Sequence, residues 1–93
     1  MPLNTLDTVV TVSDWTDIST PIAAVTTTAL YVQNKGAETV VLFDSATKPD
    51  VASFNGLIIG SIQTGAAAYT IPSGWTKIWA RSVRKSSAVH AHQ

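Results

Sequence analysis

No window of about eleven residues in this chain keeps the ~3.6-residue apolar period of a helix between recognisable caps, whereas β-branched or alternating runs recur along its whole length. Thr8–Ser13 (TVVTVS) and Thr26–Gln33 (TTTALYVQ) alternate at least in part. Glu38–Asp44 (ETVVLFD) is apolar on both faces, as a central strand covered on two sides would be. Leu57–Ile62, Ala67–Ile71, Trp75–Arg81 and Ala88–Ala91 follow, with Gly, Pro, Asn or Asp between most of them. The expected fold is all-β: a small antiparallel sandwich or barrel built from hairpins, with no significant helix.

The punctuation predicts specific connections. In QNKGAE, Asn34 suits a turn and Gly36 stands where a three-residue loop wants a left-handed residue, so Leu30–Gln33 is expected to pair with Ala37–Val41. In TIPSGW, Pro72 presets the first central turn position and Gly74 supplies positive φ, which predicts pairing of Ala67–Ile71 with Trp75–Arg81. The longer stretch Asp44–Gly56, with Pro49 and Asn55-Gly56, reads as a crossing between two sheets or as an exposed binding loop. SDWTDISTPIAA reads as an irregular bridge in which Asp14 and Asp17 cap turns.

With 93 residues the chain suits a single domain over 1–93, with 1–7 and 83–93 as candidates for extended arms. It has no cysteine, so no disulfide or thiolate site contributes. Its start lacks the pattern of a signal peptide, and its apolar runs fall far short of the roughly 20 residues of a membrane span. A soluble protein made in a cytoplasm is expected. Charged residues are only 13% and the formal net charge is zero, against about 25% charged residues in an average globular chain. So neutral a surface suggests that much of it meets other subunits. Residues 1–50 carry six acids against two lysines, a net of −4, while residues 51–93 carry four basic residues and no acid, a net of +4. That polarity suits head-to-tail contact or docking on an acidic surface.

No nucleophile motif, metalloprotease motif or phosphate loop occurs, which argues against an enzyme and against a bound cofactor. His90 and His92, in HAH, project to the same side of an extended chain, close enough to share a metal. With no obvious third ligand they read as a polar, solvated tail. In SGWTKIWARS, strand alternation puts Trp75, Lys77, Trp79 and Arg81 on one face and Thr76, Ile78, Ala80 and Ser82 on the other. With Arg84, the first face is the candidate interface. Trp and Arg inside a polar rim are what a protein contact centre contains. The alternative use is a glycan platform, with indoles ~13 Å apart along the strand. Nucleic acid is disfavoured by the zero net charge.

The order ALYVQNKGAETVVLFDSATKP, a loop, then YTIPSGWTKIWARS resembles small all-β virion proteins of tailed bacteriophages. The matching positions are Gln33, Asn34 and Gly36; Ser45, Ala46 and Pro49; and Lys77, Trp79, Ala80, Arg81 and Ser82. The resemblance implies a head decoration, cement or fibre protein that binds copies of itself and the major capsid or other virion proteins. It brings no catalytic residue with it.

Overall fold

A computed structural model describes residues 5–22, 24–60 and 68–93. Ser61, Ile62 and Ala67, expected at strand ends, lie outside the described residues, as do Met1–Asn4. Eight strands run in chain order: β1 (Thr5–Val10), β2 (Thr16–Asp17), β3 (Leu30–Asn34), β4 (Val40–Asp44), β5 (Leu57–Ile59), β6 (Ala68–Ile71), β7 (Ile78–Ser82) and β8 (Ser87–His92). They form two four-stranded antiparallel sheets, ordered β1-β8-β3-β6 and β2-β7-β4-β5. The protein is a small all-β sandwich. The one helical element among the described residues is a single 3-10 turn at Thr20–Ile22. None of their helices is long and apolar enough to cross a membrane.

Strand alternation assigns the faces. Val10, Leu30, Val32, Val89 and Ala91 point inward from the first sheet. Ile18, Val40, Leu42, Ile59, Ile78 and Ala80 meet them from the second sheet and its flank. All are essentially buried, and removing each Val, Leu or Ile side chain from water contributes about 1.5–3 kcal/mol.

Both expected hairpins are overturned. β3 pairs with β6 and β8, whereas β4 pairs with β5 and β7, so the chain crosses from one sheet to the other at QNKGAE. Likewise β6 belongs to the first sheet and β7 to the second. The physical reason is visible at Asn34, which is fully buried at the crossing. Its Nδ2 donates to the carbonyls of Glu38 (2.5 Å) and Gly60 (3.1 Å), and its Oδ1 accepts from Gly36 N–H (3.0 Å) and Ser87 Oγ (2.8 Å). One side chain thus does the work of ladder hydrogen bonds and joins the two sheets. Gly36 does not have the expected positive φ, which among the described glycines belongs to Gly56 and Gly74. Gly36 is required by closeness: a Cβ there would stand 2.0 Å from Ser87 Oγ.

Two further expectations change. Asp44–Gly56 is not a crossing, because it joins β4 to its neighbour β5 in one sheet. The segment 83–93 is not a free arm, because β8 lies between β1 and β3. Of the other candidate arm, Thr5–Asp7 are paired in β1. The Asp17 expectation holds: its carboxylate accepts from the N–H and hydroxyl groups of Ser19 and Thr20 and caps the 3-10 turn. Burial raises its pKa, but those hydrogen bonds outweigh burial and hold it below the usual carboxylate value.

Candidate functional site

β7 starts at Ile78, so the four residues expected on one face are not together. Trp75, before the strand, is 5% exposed and packs in the main core, with its Nε1 donating to the Thr28 carbonyl at 3.0 Å. It is therefore unable to stack on a sugar, which removes the Trp75/Trp79 glycan platform. Trp79 and Arg81 do share the outer face of the second sheet, and Lys77 Nζ lies 5.8 Å from the Trp79 ring centroid. Arg84 sits apart, 3.2 Å from Glu38 across a shallow hollow beside Val83. The Glu38 carboxylate raises the pKa of its guanidinium.

Arg81 is the organising residue. Only 2% exposed, it lies on the outer face, where the loop 45–56 covers it. Its Nη1 donates to the Val51 and Ser53 carbonyls at 2.5 and 2.9 Å, and its Nη2 donates to the Val12 carbonyl. The guanidinium carbon stands 3.8 Å from the Phe54 ring centroid and 5.4 Å from that of Trp15. This is a cation held by carbonyl dipoles and π faces. Its buried Nε meets no acceptor among the described residues.

Two indoles complete the attachment. Trp79 Nε1 donates to the Ser45 carbonyl (2.9 Å) and Trp15 Nε1 to the Asp50 carbonyl (3.1 Å). Lys48, on the loop, pairs with Asp14, whose carboxyl is held below its usual pKa chiefly by that lysine. The loop is thus anchored along its length on sheet side chains, and beneath it Val41 is buried outside the main core. The expectation of a strand covered on both faces is met over Val40–Leu42, whereas Phe43 and Asp44 at the end of β4 are exposed.

The same hairpin, β4–loop–β5, displays apolar side chains outward. Phe43, Val51, Phe54 and Ile58 are exposed, Ile58 at 67%, and Leu57, exposed as well, stands opposite the inward Leu42 at the mouth of the space between the sheets. Beside them a crevice of about 180 Å³ opens between the sheets, lined by Leu42, Phe43, Asp44, Leu57, Tyr69, Ile71 and Ile78. Sequence reasoning missed Trp15, Phe43, Val51, Phe54 and Ile58. The available signal was Val51 and Phe54, two large apolar residues inside an otherwise polar loop.

The outer face of the first sheet is mostly polar, with Val9 its exposed apolar exception. There Asp7 contacts both Lys35 (2.8 Å) and His90 (2.7 Å), while His92 stacks on Tyr31 with ring centroids 4.5 Å apart. The Lys35 hydrogen bond, then that of His90, holds the Asp7 carboxyl below its usual pKa. Lys35–Asp7 and Lys48–Asp14 pair charges within the acidic first half, and of the Lys and Arg ion pairs among the described residues only Arg84–Glu38 joins the two halves, so the asymmetry between them persists. Comparisons of the chain with protein-family models, with curated proteins and with solved structures found no match.

Proposed function

We propose that this chain is a non-enzymatic structural subunit of a tailed-bacteriophage virion, which decorates or cements the capsid by docking through the β4–loop–β5 face onto capsid protein or further copies of itself. The observation that carries this reading is the distribution of exposed apolar surface. Of nine large hydrophobic side chains exposed among the described residues, five lie between Phe43 and Ile58 on one hairpin. A soluble domain seldom collects apolar groups in this way unless the patch meets something. The Arg81, Trp15 and Trp79 anchors hold the loop in place before contact, so little ordering entropy is lost on docking. The resemblance of Ala29–Ser82 to phage virion proteins supplies the class of partner.

The test is co-sedimentation with virions and empty heads, alongside analytical ultracentrifugation of the free protein. Ile58→Lys and Ile58→Asp each place a charge on an exposed position away from the anchors, and each is expected to abolish co-sedimentation or self-association while the fold persists. A protein that stays monomeric at high concentration and binds neither particle would overturn the proposal.

A further inference from the structure

β8 alternates inward Ser87, Val89 and Ala91 with outward Ala88, His90 and His92, so the two imidazoles occupy successive outward positions on the first sheet. Their rings meet edge to face, with His90 Nε2 only 2.8 Å from His92 Nδ1. On the far side of His90, Nδ1 lies 2.7 Å from Asp7 Oδ1, and Asp7 Oδ2 in turn accepts from Lys35 Nζ at 2.8 Å. An ionised carboxylate accepts only, so His90 Nδ1 carries the proton and Nε2 presents its lone pair toward His92. A carboxylate behind the non-ligating nitrogen of a histidine is the usual support of a metal-binding imidazole, because it fixes the tautomer and raises the basicity of the other nitrogen. Tyr31, stacked on His92 at 27° between ring planes, steadies the second ring.

The 2.8 Å contact is a hydrogen bond between the rings, and it holds the two nitrogens within the range one ion can bridge, since with bonds of ~2.0 Å ligands at right angles stand ~2.8 Å apart and tetrahedral ligands ~3.3 Å apart. Among divalent ions a pair of imidazoles binds copper(II) most tightly. We propose that His90 and His92 form a two-imidazole chelate for a tetragonal divalent ion, copper(II) foremost, with Asp7 as the positioning carboxylate. The ion replaces the proton shared between the rings, and that proton moves to Nε2 of His92, so no net protonation change is required. Small rotations of both rings aim the lone pairs at the ion. No group of three or more metal-ligating side chains occurs among the described residues, so water fills the remaining positions and the ion stays exchangeable. The site lies on the sheet opposite the proposed docking face and does not depend on that reading.

Titration of the full chain with copper(II) chloride near neutral pH, followed by calorimetry and electron paramagnetic resonance, tests the proposal. The expected result is one tetragonal copper per chain with hyperfine structure from two nitrogens. His90→Gln and His92→Gln should each weaken binding at least tenfold, and Asp7→Asn by about 10- to 100-fold. Zinc(II) should bind at least tenfold more weakly than copper. Should a variant fail to fold, paramagnetic broadening of the wild-type amide spectrum around residues 7, 31, 90 and 92 serves as a readout that needs no substitution. Absence of stoichiometric copper binding, full affinity in folded His→Gln variants, broadening elsewhere in the chain, or zinc binding as tightly as copper would each overturn the assignment.

Discussion

Replacing Arg81 by methionine tests whether the guanidinium is what holds the loop 45–56 against the sheet. Methionine keeps much of the apolar stem beneath Phe54 and Trp15 and removes a buried charge, a change that is often neutral when both partners of an ion pair are replaced together. Here the partners are backbone carbonyls of Val12, Val51 and Ser53, and they stay behind. Three charge-assisted hydrogen bonds, at about 1.5–3 kcal/mol each, are lost. The desolvation penalty of the cation, several kcal/mol, is recovered. Val51 and Ser53 lie on a loop whose carbonyls can turn to water, which leaves a net destabilisation of about 2 kcal/mol. For a domain of this size that lowers Tm by about 10 °C. Urea unfolding followed by tryptophan fluorescence gives the stability, and hydrogen exchange at Ala52 and Ser53, whose amides bond to Asp50, reports the loop directly. Arg81→Met at wild-type stability, with exchange at those amides unchanged, would refute the clamp.

Three further outcomes follow from other parts of the fold. Asn34→Ala strips partners from the Glu38 and Gly60 carbonyls and the Gly36 amide, and should cost about 3 kcal/mol in urea melts; Asn34→Asp, which sets a carboxylate against two carbonyls, should cost more. Gly36→Ala drives a methyl into Ser87 and should destabilise by about 2 kcal/mol. Gly74→Ala meets open space and incurs only the strain of its positive φ, about 1 kcal/mol, so thermal melts should rank the two in that order. Asp14 and Asp17 have folded-state pKa values below their unfolded ones, so their stabilisation is present above about pH 4 and is lost as pH falls through the folded values. Acid titration of the double variant Asp14→Asn/Asp17→Asn should show a shallower loss of stability in that range than wild type.

The strands were largely legible, because β-branched alternation is a local property, but their partners were not. QNKGAE and TIPSGW carry sound turn chemistry, and Gly74 does take positive φ. Turn residues set how sharply the chain bends; they do not say whether the next strand returns to the same sheet or joins the opposite one. At Asn34 the choice depends on Gly60 and Ser87, both remote in sequence. The expected strand of Thr26–Ala29 is instead a turn, where the Thr28 amide donates to the Val25 carbonyl and the Thr26 carbonyl accepts from Gly74. For the candidate site, alternation correctly set Trp79 and Arg81 apart from Ile78 and Ala80, yet extending it back to Trp75 assumed a strand that had not begun. Burial of Arg81 on an outer face required the loop above it, which no periodicity reveals.

The place of β8 in the first sheet has a kinetic consequence. β1 and β3 touch in that sheet only through Ser87–His92, more than fifty residues beyond β3. A growing chain therefore holds β1 as an unpaired six-residue strand until β8 is made, and no native ladder of the first sheet can form around it earlier. Such distant pairing makes assembly slow, on the millisecond-to-second scale of sandwich topologies. For all that time the β1 edge is open to other chains. Release of residues 87–92, rather than collapse of the apolar core, is the event on which the native sandwich waits.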